Sequence, residues 1–431
     1  MKHLAPDFIY TPHGLQAGKV ISITDDGWID ALQDRAAVTD PVEVLDGVAL
    51  LPGFVNTHSH AFQRTLRGHT HRIRASHDTF WTWRQAMYAA AQQLDPERMY
   101  QVALATYREM LAAGYSSVGE FHYVHHQPGG QPYERVNALS EAVLQAGKEA
   151  GIRVVLLLTA YAQGDFNQAP DETQLRFCDA SLENYLARVD LLRTQGFHCG
   201  IAPHSVRAVP EAWLRGLAEY SRNYNLPLHV HADEQKAEIE RCLSATGCTP
   251  IEWLERCGVL SERTTVIHAT HATPKETSLL ALHHATVCVC PTTEGDLGDG
   301  IAPYADLHQQ QIPLCIGSDS NTRLDPLEEL RWAEYSARMS NQQRRILISD
   351  TTTAPGPFLL NAGTWVGAQA LGIQTGKIAP GMAADFVAVD LHAVALQGWT
   401  EDDLLDQLFF GASSQVFTQT WVQGKKVWSL R

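Results

Sequence analysis

Four short stretches carry side chains able to hold a metal ion: His58-Ser59-His60, His231 with Glu234 three residues on, His268 at the end of Val266-Ile267-His268, and Asp319 in Gly317-Ser318-Asp319-Ser320. In an extended strand, a spacing of two puts the imidazoles of His58 and His60 on one face. Neutral imidazoles with a carboxylate form a nitrogen/oxygen donor set that suits zinc first, with iron, manganese or nickel open. Such an ion can bring the pKa of bound water from near 16 to about 7, which is the chemistry of hydrolysis at neutral pH. A carboxylate beside it, such as Glu234, could move protons. Taken singly, each stretch has an ordinary reading. His-x-His is usually a polar strand end, a histidine in an apolar run a hydrogen-bonded core residue, and Gly-Ser-Asp a turn. Their joint position is what needs an explanation.

That position follows from the elements that carry them. Short apolar runs at 53–57, 116–121, 152–159, 199–203, 227–231, 264–268, 286–290 and 314–318 alternate with helical periodicity. One helix starts at Asp95 with Pro96 in its first turn and stops at Gly114, the residue types that begin and end helices. Eight strand–helix units predict an α/β fold of the (β/α)8 TIM-like barrel class. An open doubly wound sheet is the alternative, but no G-x-G-x-x-G follows the first strand. In a barrel the C-terminal strand ends share one mouth. The ends of strands one, five, six and eight carry the histidines and the aspartate.

Both chain ends read differently. Residues 1–51 alternate in short runs such as Lys19-Val20-Ile21-Ser22-Ile23, and the pattern returns over 373–431, with a strand near 384–389 and a hairpin turning at Gln423-Gly424. The two ends are predicted to make one small β-sandwich domain beside a barrel over 52–372.

Composition narrows the partners. The 431 residues carry a formal charge of −15, which argues against a nucleic-acid or anionic membrane surface. It leaves a small anionic substrate possible. No apolar run approaches the roughly 18 residues of a membrane span, and the first residues lack a signal-peptide pattern. Eight scattered cysteines without C-x-x-C suit a reduced, cytoplasmic protein. Against the acidic background, residues 64–84 hold Arg64, Arg67, Arg72, Arg74 and Arg84 with the single acid Asp78. Arginine grips carboxylates in pairs of parallel hydrogen bonds. Most of these arginines suit a solvated loop or a subunit contact. Arg84, beside the aromatics Phe80, Trp81 and Trp83, and Arg207, four residues past strand four, are the candidates for a pocket. The aromatics suit an apolar lid or an interface stripe equally. Among the other histidines, His229 is assigned to packing, His268 is preferred to His271, and His122, His125 and His126 to a loop.

The pattern resembles the amidohydrolase superfamily, through His58-Ser59-His60-Ala61-Phe62-Gln63-Arg64, Phe80-Trp81-Thr82-Trp83-Arg84, Glu120-Phe121-His122-Tyr123, His204-Ser205-Val206-Arg207, His231-Ala232-Asp233-Glu234-Gln235, Val266-Ile267-His268-Ala269-Thr270-His271 and the run from Gly376 to Asp385. The resemblance spans nearly the whole chain. It implies metal ligands His58, His60, His231 and Asp319, with His268 as a base or orienting partner and Glu234 as the proton shuttle of the deaminase branch. Asp319 would also share in catalysis. Binuclear members carry a lysine at the end of strand four; Ala202-Pro203-His204-Ser205 has none, which implies one divalent metal per subunit. The resemblance further implies a linear amidine substrate bearing two carboxylates, contacts from Gln63, Arg84, Tyr123, His204 and Arg207, and a homodimer. The rival readings are an aminohydrolase of the same superfamily acting on a purine- or pyrimidine-type ring, and a barrel without catalysis.

Overall fold

The computed structural model describes residues 1–71, 79–348 and 354–430. Arg72, Arg74 and Asp78 lie outside the described residues. Eight parallel strands follow one another in chain order around the barrel: Phe54–Ser59, Tyr115–His122, Arg153–Ala160, Cys199–Pro203, Leu228–Ala232, Thr264–His268, Thr286–Val289 and Leu314–Ile316. Helices between them cover the outside. The helix Pro96–Ala112 shows how local chemistry sets such an element. The Asp95 side chain accepts from Arg98 N, Pro96 occupies the first turn, and Met99, Ala103, Tyr107, Met110 and Leu111 are buried at helical spacing.

Closure of the barrel brings the last strand against the first through a single bridge, Ser59 to Asp319. Across this seam His60 N donates to Asp319 O (2.9 Å) and Asp319 N to His58 O (3.0 Å). Asn56 reinforces it from below. Its Nδ2 donates to Ser318 Oγ (2.6 Å), and its Oδ1 accepts from Ser318 N (2.9 Å). Gly317 lies so close to His58 that a Cβ there would meet the His58 Cβ at 2.7 Å and its carbonyl oxygen at 2.8 Å. Only glycine lets the two strands approach this far.

The chain ends form the second sheet. Its order is Lys425–Ser429, Phe417–Val422, Phe386–Asp390, Glu43–Pro52, Lys2–Thr11, Lys19–Ile23 and Ile29–Asp34, with Gly14–Ala17 paired to Lys2–Thr11. Strands from both ends of that order, carrying Ile23, Ile29 and Trp421, bury side chains in one apolar cluster. The predicted sandwich is therefore one sheet curled over its own core. The hairpin turns at Gln423 and Gly424, both with positive φ (49° and 71°), the backbone that a tight turn between twisted strands needs. Among the described residues no helix is long and apolar enough to cross a membrane.

Sheet and barrel are joined by a buried acid. Asp385 pairs with Arg153 of the third barrel strand and accepts from Thr375 Oγ1 (2.7 Å) and from Gln423 N of the hairpin turn (2.7 Å). Removing one partner of a buried ion pair leaves the other uncompensated. Asp385→Ala is expected to lower the unfolding free energy by about 3–5 kcal/mol, read from urea midpoints. A loss under about 1 kcal/mol would show that the joint contributes no more than a surface pair.

Candidate metal centre and pocket

The strand-end groups meet. One ligand atom from each of His58, His60, His231 and Asp319 lies within 4.8 Å of all the others, and all four residues are buried. The Nε2 atoms of His58 and His60 are each 3.3 Å from Asp319 Oδ1, and those of His58 and His231 are 3.2 Å apart. Burial holds all three imidazoles below their usual pKa, His58 down to about 3, so they are neutral. His60 Nδ1 faces the Phe121 carbonyl and His231 Nδ1 the His204 carbonyl, each at 2.8 Å. A carbonyl only accepts, so those Nδ1 atoms carry the protons and the Nε2 lone pairs turn inward. Lone pairs aimed at one another and at a carboxylate repel unless a cation lies between them. The donor set, and the carbonyls that orient His60 and His231, therefore fit a divalent metal.

The backbone is bent to make this arrangement. Asp233, His268, Ala269, Asp319 and Asn321 all have positive φ, between 47° and 73°. Non-glycine residues keep that conformation when neighbours hold them in it. Here Ala269 N donates to Ala232 O (3.1 Å) and His271 N to Asp233 O (3.0 Å). Asn321 spans the seam through Nδ2 to His60 O (2.9 Å).

The pocket above the cluster is lined by the predicted contacts Gln63, Arg84, Tyr123, His204 and Arg207, together with Glu234 and His268. His268 Nδ1 lies 3.3 Å from Glu294 Oε1, and its Nε2 points to Asp319 Oδ2 at 3.9 Å. Burial alone would lower the His268 pKa, but the Glu234 charge and the Glu294 bond hold it well above its usual value. Glu234 sits between the fifth strand and the helix Lys236–Thr246, partly exposed to the pocket, and surrounding protein pushes its carboxyl up to about 7. Gln63 Nε2 donates to Tyr123 Oη (2.9 Å). Arg207 is buried, with Nη1 donating to Gly164 O (3.3 Å). Arg84 lies against the rings of Trp81 and Tyr88. Neither guanidinium has a carboxylate partner among the described residues.

The other sequence-predicted groups separate. Arg64 and Arg67 both pair with Glu109, and Arg67 also holds Asn321 O, so they brace the first strand's loop rather than the pocket. Phe80 and Trp83 line the pocket, while Trp81 faces away and stacks under Arg241 at 4.6 Å. His229 packs, with Nε2 against Ala370 O at 2.9 Å. His122 belongs to the second strand, not to a loop, and it, His125 and His126 are buried outside the pocket. Sequence reasoning missed Tyr161 and Glu238, which also line the pocket. Tyr161 directly follows the third strand, so the strand-end rule reaches it. Glu238 lies four residues past Glu234, one helical turn on.

His58→Ala and Asp319→Asn each remove one corner of the cluster. Both are expected to weaken metal binding beyond the roughly 10–100-fold lost with an outer partner, with the fold kept by circular dichroism. A full metal equivalent retained at unchanged affinity after dialysis would refute the site.

The comparisons with known proteins agree with this geometry. The family model described as the amidohydrolase family matches residues 49–427. A formimidoylglutamate deiminase of Pseudomonas aeruginosa is 37% identical over 421 residues, covering 96% of this chain and 92% of the relative. A 5'-deoxyadenosine deaminase of Methanospirillum hungatei is 30% identical over 354 residues, covering 81% of this chain and 72% of that one. The crystal structure of an amidohydrolase from Brucella melitensis superposes with a TM-score of 0.90 at 31% identity, covering 99% of this chain and 94% of the other. With a family match over residues 49–427 on a barrel whose mouth gathers three histidines and an aspartate, the chain belongs to the amidohydrolase family.

Proposed function

We propose that this protein hydrolyses N-formimino-L-glutamate to N-formyl-L-glutamate and ammonia, a step of histidine breakdown. The observation that carries the reading is the pair Arg84 and Arg207, two guanidiniums without carboxylate partners among the described residues, in the same pocket as the His58–His60–His231–Asp319 cluster. A substrate with two carboxylates and a hydrolysable C–N bond matches both halves of that pocket. The 37%-identical deiminase supports the same substrate.

His58, His60, His231 and Asp319 would hold a divalent cation, zinc first by their donor set, and the chemistry it would supply is water acidic enough to attack at neutral pH. The remaining work falls to side chains. His268, braced through Nδ1 by Glu294, presents Nε2 toward Asp319 and orients the attacking oxygen. Glu234 takes the water's proton and delivers it to the departing nitrogen, for which a carboxyl poised near neutrality is suited. Arg84 and Arg207 answer the carboxylate charge, and Gln63, Tyr123 and His204 add further polar contacts to the substrate. Phe80, Trp83 and Met87 exclude water from one side.

Ammonia release from N-formimino-L-glutamate by protein of measured metal content, beside guanine, adenosine and cytosine, tests the reading. The ring compounds are expected to react at least about 100-fold less efficiently; a ring compound turned over best would replace the reading with a ring aminohydrolase. Arg207→Met is expected to lower kcat/KM at least about 30-fold, the equivalent of about 2 kcal/mol. An unchanged kcat/KM removes Arg207 from the pocket. Glu234→Gln, with its metal retained, is expected to lose about 10²–10⁴-fold in kcat; a loss under tenfold means the proton travels by another group.

A further inference from the structure

The mechanism above leaves one pocket acid without a task. Glu238 lies in the first turn of the helix Lys236–Thr246, one turn past Glu234, and is only 6% exposed. It lines the same pocket as Arg84, Arg207, Glu234 and His268. Its carboxylate has no hydrogen-bond or ion-pair partner among the described residues. The residue is mostly covered and its carboxylate opens onto the pocket, where a charge with restricted access to water is costly unless something there pairs with it. A buried polar group facing an open pocket is completed by what enters the pocket.

We infer that Glu238 is a specificity-determining residue that favours the cationic amidine of the substrate over the uncharged amide of the product. This rests on the proposed deimination. An N-substituted amidine is a strong base and is protonated at neutral pH, so the substrate carries one positive charge beside its two carboxylates. Hydrolysis replaces the amidine nitrogen by oxygen, ammonia leaves, and the product keeps both carboxylates with no positive charge. The two arginines attract substrate and product alike and cannot tell them apart. Glu238 can, because its charge attracts the amidinium and repels the more anionic product. The same repulsion excludes other small dicarboxylates that fit the arginines. Burial raises the Glu238 pKa, while Arg207, His268 and Arg84 draw it back toward the ionised form. Glu234, assigned to proton transfer in the proposed reaction, cannot serve both ends of the turnover.

The test compares the KM for N-formimino-L-glutamate with the competitive Ki of N-formyl-L-glutamate on the metal-loaded enzyme. In Glu238→Gln the ratio of product Ki to substrate KM is expected to fall about tenfold, as expected for removing one nearby charge in a partly screened pocket. Glu238→Asp, which keeps the charge, should hold the ratio within about threefold of the parent. If the amide variant does not fold, Glu238→Ser removes the same charge and is read in the same way. A ratio that stays put in the charge-free variants, or falls equally in Glu238→Asp, overturns the inference. A parent enzyme that releases no ammonia from N-formimino-L-glutamate overturns the proposed function instead, so the two failures are distinguishable.

Discussion

Everything at the mouth of this barrel depends on how its first and last strands are closed. The seam there is narrow, a single bridge between Ser59 and Asp319. The same residues that close the barrel carry three of the four converging ligands, since His58 and His60 flank Ser59. The backbone bonds from His60 N to Asp319 O and from Asp319 N to His58 O set the positions of three side chains at once. A ligand cluster placed by main-chain bonds is rigid before any ion arrives. That rigidity keeps neutral imidazoles facing a carboxylate that they would otherwise avoid. Left-handed backbone at Asp319 is sustained by the same closure.

Around this centre, charge is distributed against the trend of the whole molecule. The chain carries a net −15, yet its pocket holds two guanidiniums without carboxylate partners among the described residues. Arg64 and Arg67, although they belong to the same basic stretch, share Glu109 as their carboxylate partner. A shared sign in sequence thus divides into two physical uses. One pair of arginines braces the loop after the first strand, and Arg84 and Arg207 remain available to an anion. The distinction is set by where Glu109 falls on the helix Pro96–Ala112, more than forty residues from the arginines it holds.

That division marks how far the sequence could be read. Strand ends were legible because each barrel strand announces itself locally, and the rule that C-terminal ends converge does the rest. The strands 199–203 and 264–268 fall where periodicity puts them, and the others shift by one or two residues. His229 was separable from His231 by its depth along one strand. What stayed hidden is tertiary. Nothing near Arg64 signals Glu109, and nothing near His122, His125 and His126 signals that the loop after the second strand is buried. Trp81 and Trp83 look alike in sequence, but helical spacing turns one toward the pocket and the other toward Arg241. Glu238 was missed for a different reason: a lone glutamate in a helix's first turn is the commonest of all helix signals.

The pocket groups carry charges of both signs, as the proposed substrate does. Asp319 and the three imidazoles form the cluster, and Glu234 and Glu238 line the same pocket, Glu238 from the first turn of the helix Lys236–Thr246. The guanidinium of Arg84 comes from the helix Phe80–Gln92 after the first strand, and that of Arg207 from the loop after the fourth. Arg207 stands on a strand–helix unit that supplies no ligand, whereas Arg84 follows the strand of His58 and His60, and Glu234 and Glu238 follow that of His231. In the proposed reaction, bond cleavage falls to the strand ends and the choice of substrate to the segments that follow them. A barrel of this kind can keep its strand ends and vary its substrate through the segments that follow them.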